Sequence, residues 1–186
     1  MDTSDFRNGI SILLDHDLFT IVEFQHVKPG KGGAFVRSTL RNVRNGRVVD
    51  KTFRAGERME QAHLDRRALQ FLYSEGDDYH LMDKDSFEQT TIKKEQIGAG
   101  IKYLKENMDI TVMTHKDEVI AAEVPTFVEL EVTMTGGSEK GDTASGGGKP
   151  ATIETGAVVT VPFFVKVGDK IKIDTRTDQY LERVKS

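Results

Sequence analysis

Apolar and polar positions alternate with a period of two along much of this 186-residue chain. That spacing puts successive side chains on opposite faces of a β-strand. Between Ala34 and Val43, Phe35, Arg37, Thr39 and Arg41 share one face and Val36, Ser38 and Leu40 the other. Ile10–Leu14 and Phe19–Phe24 are short apolar runs with a turn at Asp15-His16-Asp17 between them. Asn45-Gly46 is the preferred pair for a two-residue type I′ hairpin turn, because both central residues need positive φ. Arg47–Arg54 then returns as a strand. Several short strands in about sixty residues suggest a small SH3-like barrel.

A second part opens with Leu69-Gln70-Phe71-Leu72-Tyr73, turns over Ser74–Asp78 and continues in Tyr79–Met82. Ile97, Ile101 and Leu104 recur at helical spacing, which predicts one helix over Lys93–Glu106. Asp109–Met113 and Glu118–Ala122 return to strand, and strands around one short helix suit an OB-type barrel. After Pro125, Val128, Leu130 and Val132 line one face of a strand over Phe127–Met134. Gly136–Pro150 is glycine-rich and small, hence a loop. Ala157–Val167 is an apolar strand that Pro162 confines to an edge or a bulge. Ile171, Ile173, Tyr180, Leu181 and Val184 close a second OB-like barrel. The expected fold is all-β, with domains at 1–61 (SH3-like), 62–125 (OB) and 126–186 (OB).

Composition sharpens this picture at a few points. With 37% hydrophobic and 30% charged residues and no apolar run of spanning length, the chain reads as soluble, with no membrane partner. The polar start, Met1–Gly9, has no signal-peptide core. The absence of cysteine excludes disulfides and thiol chemistry and suits a reducing cytoplasm. A net charge of -4 argues against nucleic acid, but the charge is uneven. Lys28–Arg58 alone holds 9 basic and 2 acidic residues. Screening confines each charge's influence to about 10 Å, so such a patch can hold phosphates on an acidic protein. Arg37, Arg41 and Arg54 are the candidates within it.

Catalytic patterns are missing. His16, His26, His63, His80 and His115 are scattered, with no pair at the helical spacing a metal needs. Around Gly148-Lys149, a phosphate-binding loop would need glycine at 143 and serine or threonine at 150, where Thr143 and Pro150 stand. No dinucleotide fingerprint exists either. The sequence points to a non-enzyme without cofactor, metal or nucleotide.

The most informative stretch is Lys28-Pro29-Gly30-Lys31-Gly32-Gly33. Pro29 stiffens the entry, and Gly30, Gly32 and Gly33 strip side-chain bulk from around Lys31. The result is a narrow finger with one long cation at its tip. Here the chain resembles the bacterial elongation factor P family. The finger, the strand through Leu40-Arg41 and Lys51-Thr52-Phe53-Arg54 resemble that family's first domain. Far along the chain a second match runs from Lys140-Gly141-Asp142-Thr143-Ala144 through Gly147-Gly148-Lys149-Pro150-Ala151 and Thr155-Gly156-Ala157. It continues through Val161-Pro162 and Phe164-Val165 to Asp174-Thr175-Arg176 and Tyr180–Arg183.

The resemblance implies three β domains in an L-shaped, tRNA-like outline. It also implies binding to the 70S ribosome between the peptidyl and exit sites, and relief of stalling at consecutive prolines. Lys31 would be lengthened by a modifying enzyme and reach the acceptor end of the peptidyl tRNA. Asp5-Phe6, Val36-Arg37-Ser38 and Phe53–Glu57 look more like the Gram-positive branch, which leans toward an aminopentanol-type group there over a β-lysyl one and leaves the identity of the group open. The basic strand would meet tRNA or ribosomal RNA. Tyr180 and Arg183 would lie toward the anticodon stem, though a spacing of three leaves open whether they share a face. The loop with Gly141, Asp142, Thr143, Gly146, Gly147 and Gly148 would lie near the small subunit and the exit-site codon. Two alternatives remain: a paralogue of the same fold, which the intact finger disfavours, and a generic OB-fold RNA binder. The second would need aromatic platforms, and there is no Trp and only 8% aromatic residues.

Overall fold

The computed structural model describes residues 1–136 and 147–185. Among these the chain is all-β, with three five-stranded sheets and only short 3₁₀ turns. The first sheet comprises β1 (Ser11–Leu14), β2 (Asp17–Val27), β3 (Phe35–Asn42), β4 (Val48–Arg54) and β5 (Glu60–Ala62), in the order β4-β3-β2-β1-β5. The alternation in β3 is realised: Val36, Ser38, Leu40 and Asn42 are buried and Arg37 and Arg41 exposed. Val36, Leu40 and Phe53 pack with Phe6, Ile12 and Ile21, and the Phe6 and Phe53 rings meet edge to face at 5.4 Å.

The two hairpin turns exchange the chemistry expected of them. Asp15 and His16 both take positive φ, 51° and 67°, so the two-residue mirror-image turn lies there. At Asn45-Gly46 only Gly46 has positive φ. The loop is longer because the Asn42 carboxamide oxygen accepts from the backbone of Arg44 and Asn45, at 2.9 and 3.1 Å, and Gly46 N donates to Asn42 O. A side chain that hydrogen-bonds its own backbone outcompetes the tight turn.

The second sheet comprises β6 (Asp65–Glu75), β7 (Asp78–Met82), β8 (Gln89–Lys93), β9 (Asp109–His115) and β10 (Glu118–Glu123), in the order β10-β9-β6-β7-β8. The helix expected over Lys93–Glu106 does not form. Lys93 ends β8, and two 3₁₀ turns follow, Lys94–Gln96 and Ala99–Tyr103. Gly98 separates them with φ 55°. At Gly100 a Cβ would stand 2.1 Å from Val124 Cγ2. Both glycines are poor helix formers, and the apolar spacing is met by tight three-residue turns instead.

The third sheet comprises β11 (Phe127–Thr135), β12 (Lys149–Ile153), β13 (Val158–Val161), β14 (Lys170–Asp174) and β15 (Gln179–Arg183), in the order β13-β12-β11-β14-β15. Val128, Leu130 and Val132 face its core with Ile153, Ile171 and Ile173. β13 stops where Pro162 removes the next ladder donor, so the expected long strand over Ala157–Val167 is four residues. The chain divides into two compact units, Met1–Arg67 with Val112–Ala122, and Ala68–Thr111 with Glu123–Ser186. In the first, Leu18, Ala62 and Ile120 form a second small apolar cluster. In the second, Tyr103 is fully buried in the core of the third sheet. No helix among the described residues is long and apolar enough to cross a membrane.

Candidate nucleic-acid interface

The β2–β3 ladder ends at the pair Val27–Phe35, and residues 28–34 extend beyond it. Lys28, Pro29, Gly30, Lys31, Gly32 and Gly33 are all exposed. Only Gly32 uses a conformation that favours glycine, φ 106°, and the space a Cβ would fill at Gly30 and Gly33 is open. Lys31 makes no hydrogen bond or ion pair among the described residues. The base of the finger is held by Ala55 N, which donates to Ala34 O at 3.0 Å, and by Arg37, whose guanidinium lies 5.5 Å from the Phe35 ring centre.

Register places the three expected arginines on one face. Phe35 pairs with Arg54, Arg37 with Thr52, Thr39 with Asp50 and Arg41 with Val48. Directly opposed residues in an antiparallel ladder point the same way. Phe35, Arg37 and Arg41 already share a face of β3, so Arg54 joins them, on a diagonal from Arg37. A row of opposite sign crosses the patch. Thr39 stands between Glu23 of β2 and Asp50 of β4, and its hydroxyl donates to Asp50 at 2.9 Å. The nine-cation count also overstates the patch. Lys51 points to the other face and pairs with Asp15 at 3.6 Å, and Arg44 pairs with Asp17 at 3.7 Å.

In the third sheet a bulge decides the relation of Tyr180 and Arg183. Tyr180 pairs with Ile173 and Arg183 with Ile171, and Leu181 is the extra residue. Ile171 and Ile173 share the core-facing side of the sheet, so the two candidates share it as well, with Tyr180 packed against the core and Arg183 exposed. Partial burial holds the Tyr180 hydroxyl above its ordinary pKa. The Arg183 guanidinium lies 5.6 Å from the exposed Phe164 ring and 3.7 Å from Asp169. Gly141, Asp142, Thr143 and Gly146 lie outside the described residues. Gly147 has φ 47°, while at Gly148 a Cβ would come 2.8 Å from the Val161 carbonyl oxygen. Gly148 is therefore packed against β13 rather than being a free linker residue.

Sequence reasoning missed the group beside this hairpin. Asp178, in the β14–β15 turn at φ 60°, accepts a hydrogen bond from the Tyr103 hydroxyl at 2.7 Å and an ion pair from Lys102 at 2.9 Å. These bonds hold the Asp178 carboxyl below its ordinary value, the tyrosine bond first. Burial, then the bond to Asp178, pushes the Tyr103 hydroxyl far above the tyrosine range. Thr155 Oγ1 donates to Lys102 O at 2.7 Å, and Lys105 pairs with Glu154 at 2.6 Å. A lone tyrosine after two glycines of the 3₁₀ turns carries no sequence signal for such a role.

Comparison with known proteins gives three consecutive matches along the chain. Residues 2–59 match the elongation factor P KOW-like domain, residues 64–122 the elongation factor P OB domain, and residues 128–183 the elongation factor P C-terminal domain. "Elongation factor P" of Pelotomaculum thermopropionicum is 56% identical over 184 residues, covering 99% of this chain and 100% of the relative. That of Natranaerobius thermophilus is 57% identical over 183 residues, covering 98% and 97%. Among solved structures, eukaryotic translation initiation factor 5A from Methanococcus jannaschii superposes with a TM-score of 0.51 at 21% identity, over 67% of this chain and 90% of that one. An initiation factor 5A family protein from Naegleria fowleri gives 0.53 at 16% identity, over 67% and 94%; at such identities the likeness speaks for the fold alone. Identity above one half along nearly the whole chain, with all three domain signatures in order, makes this chain a member of the elongation factor P family of translation elongation factors.

Proposed function

We propose that this chain binds the 70S ribosome between the peptidyl and exit sites and stimulates peptide-bond formation at consecutive prolines. The observation that carries the reading is the finger at residues 28–34, an exposed loop whose one tip cation, Lys31, is committed to no partner among the described residues. A side chain so free is available both to a modifying enzyme and to the acceptor end of a peptidyl tRNA. Proline is a hindered, constrained reactant, so productive geometry is rarely sampled. Ordering the tRNA end lowers the entropic part of that barrier. About 1.4 kcal/mol gives a tenfold rate gain, so modest ordering suffices. The ribosome remains the catalyst and this protein a non-enzyme working in the cytoplasm.

The arginine face of β3 and β4 suits the phosphates of tRNA or ribosomal RNA, with Arg37, Arg41 and Arg54 as the contacts. Tyr180 and Arg183, on one face of β15, suit the anticodon stem. The loop with Gly141, Asp142, Thr143, Gly146, Gly147 and Gly148 is the proposed contact for the small subunit and the exit-site codon. Functional domains at 1–61, 62–125 and 126–186 accord with the spans of the family matches, 2–59, 64–122 and 128–183.

The test is a reconstituted translation assay on a template encoding consecutive prolines, with intact-mass analysis of the protein from its own host. Lys31→Ala should fold normally and lose rescue, and the native protein should carry added mass at Lys31. Full rescue by the alanine variant would sink the proposal.

A further inference from the structure

Phe87 combines two features that a structural residue avoids. Its side chain is 70% exposed, the most of any large hydrophobic residue among those described. Its backbone has φ 60°, a region that bulky side chains rarely occupy. Glycine or asparagine would fit that conformation better and would not place an apolar ring in water. Strain of this kind persists only where the surroundings impose it, and it clusters at functional sites.

The surroundings do impose it. Residues 83–88 connect β7 to β8 beyond the pair Met82–Gln89. Asp83 Oδ1 accepts from the backbone of Asp85 and Ser86, at 2.8 and 3.1 Å. Phe87 N donates to Asp83 O at 2.8 Å, and Asp83 N donates to Glu88 O at 3.0 Å. The ring is thus presented on a built support. Ordering an exposed aromatic before binding reduces the entropy lost on association, which is how aromatic anchors at protein interfaces work.

The rim selects the partner. Exposed Asp85 and Glu88 flank Phe87 in the loop, and the one cation of the loop, Lys84, is paired with Asp109 at 2.6 Å. An RNA backbone would be repelled by these carboxylates, and so would an anionic membrane. Two copies of this chain meeting through this same loop would set like charges against each other. We infer that the Phe87 loop is a docking knob for a protein surface with an apolar pocket rimmed by Lys or Arg, on the ribosome if this protein acts there as proposed.

The experiment uses the full-length chain and purified ribosomes. Phe87→Gly should raise the melting temperature, because it relieves the backbone, yet weaken ribosome binding at least tenfold. Asp85→Asn with Glu88→Gln should weaken binding several-fold, the opposite of what an RNA partner would give. A photo-crosslinking phenylalanine analogue at position 87 should label protein. Unchanged affinity for Phe87→Gly, tighter or unchanged binding by the rim variant, or crosslinks to RNA or to nothing would each overturn the inference. Lys31→Ala run in parallel separates the cases. If it loses rescue while Phe87→Gly binds normally, only the docking knob fails. If it keeps full rescue, the translation reading fails instead.

Discussion

The Tyr103 hydroxyl donates to Asp178 at 2.7 Å, so a residue of the 3₁₀ turn after β8 is bonded to the turn between β14 and β15. The ring is fully buried among Val128, Leu130 and Ile173. Truncation to alanine should therefore cost about 3–5 kcal/mol, the usual range for removing a buried aromatic. Tyr103→Phe removes only the hydrogen bond and should cost about 1 kcal/mol or less, because Asp178 is half exposed and keeps Lys102. Chemical denaturation of both variants checks the difference, and equal losses would contradict this account.

The same turn gives a pH dependence. Asp178 is held below its ordinary value of 3.8 by Tyr103 and then Lys102, and Asp174 below 3.8 by its hydrogen bonds from Arg176. A carboxyl with a lowered folded pKa binds fewer protons when folded than when unfolded. Its contribution is complete above the unfolded value and disappears as pH falls through the folded one. The melting temperature should thus decline below about pH 5, and Asp178→Asn should decline less steeply. An identical slope in wild type and variant would exclude Asp178 as a source.

On the arginine face, replacing Arg37, Arg41 and Arg54 by Gln should weaken ribosome binding. It should also flatten its salt dependence by about 0.7–0.9 in log–log slope for each phosphate no longer neutralised. Asp50→Asn should do the reverse and tighten binding, since Asp50 and Glu23 interrupt the face. Titrations across a salt series decide between this and a merely solvated surface.

The glycines of the two loops should behave differently. Gly148→Ala drives a methyl group against the Val161 carbonyl and should cost about 1–3 kcal/mol. Gly33→Ala meets open space and should change stability by no more than about 0.5 kcal/mol. Shortening the third-domain loop at Gly148 would therefore confuse folding with function, and deletions are better confined to residues 141–146. Thermal melts of the two alanine variants test this.

Arg183→Ala should lower ribosome affinity with almost no change in melting temperature. Its ion pair with Asp169, at 3.7 Å, lies at the surface, and such pairs are worth about 0–1 kcal/mol. A large drop in stability would assign Arg183 to the barrel instead of the interface.

Much of this was legible along the chain. Period-two alternation depends only on the pleat of the backbone, so the faces of β3 and β11 could be read from Val36–Leu40 and Val128–Val132 directly. Glycines around Lys31 remove bulk wherever they occur, so an exposed loop between β2 and β3 was legible too. What depended on pairing was not. Whether Arg54 joins Arg37 and Arg41 is set by register across β3 and β4. Whether Tyr180 faces with Arg183 is set by one extra residue, Leu181, opposite β14. The false helix over Lys93–Glu106 has the same origin. Ile97, Ile101 and Leu104 carry helical spacing, but Gly100 is pressed against Val124, and Tyr103 is drawn into the core of a sheet formed by later residues. Local periodicity reports which side chains seek burial; only the tertiary structure decides which neighbours are there to bury them.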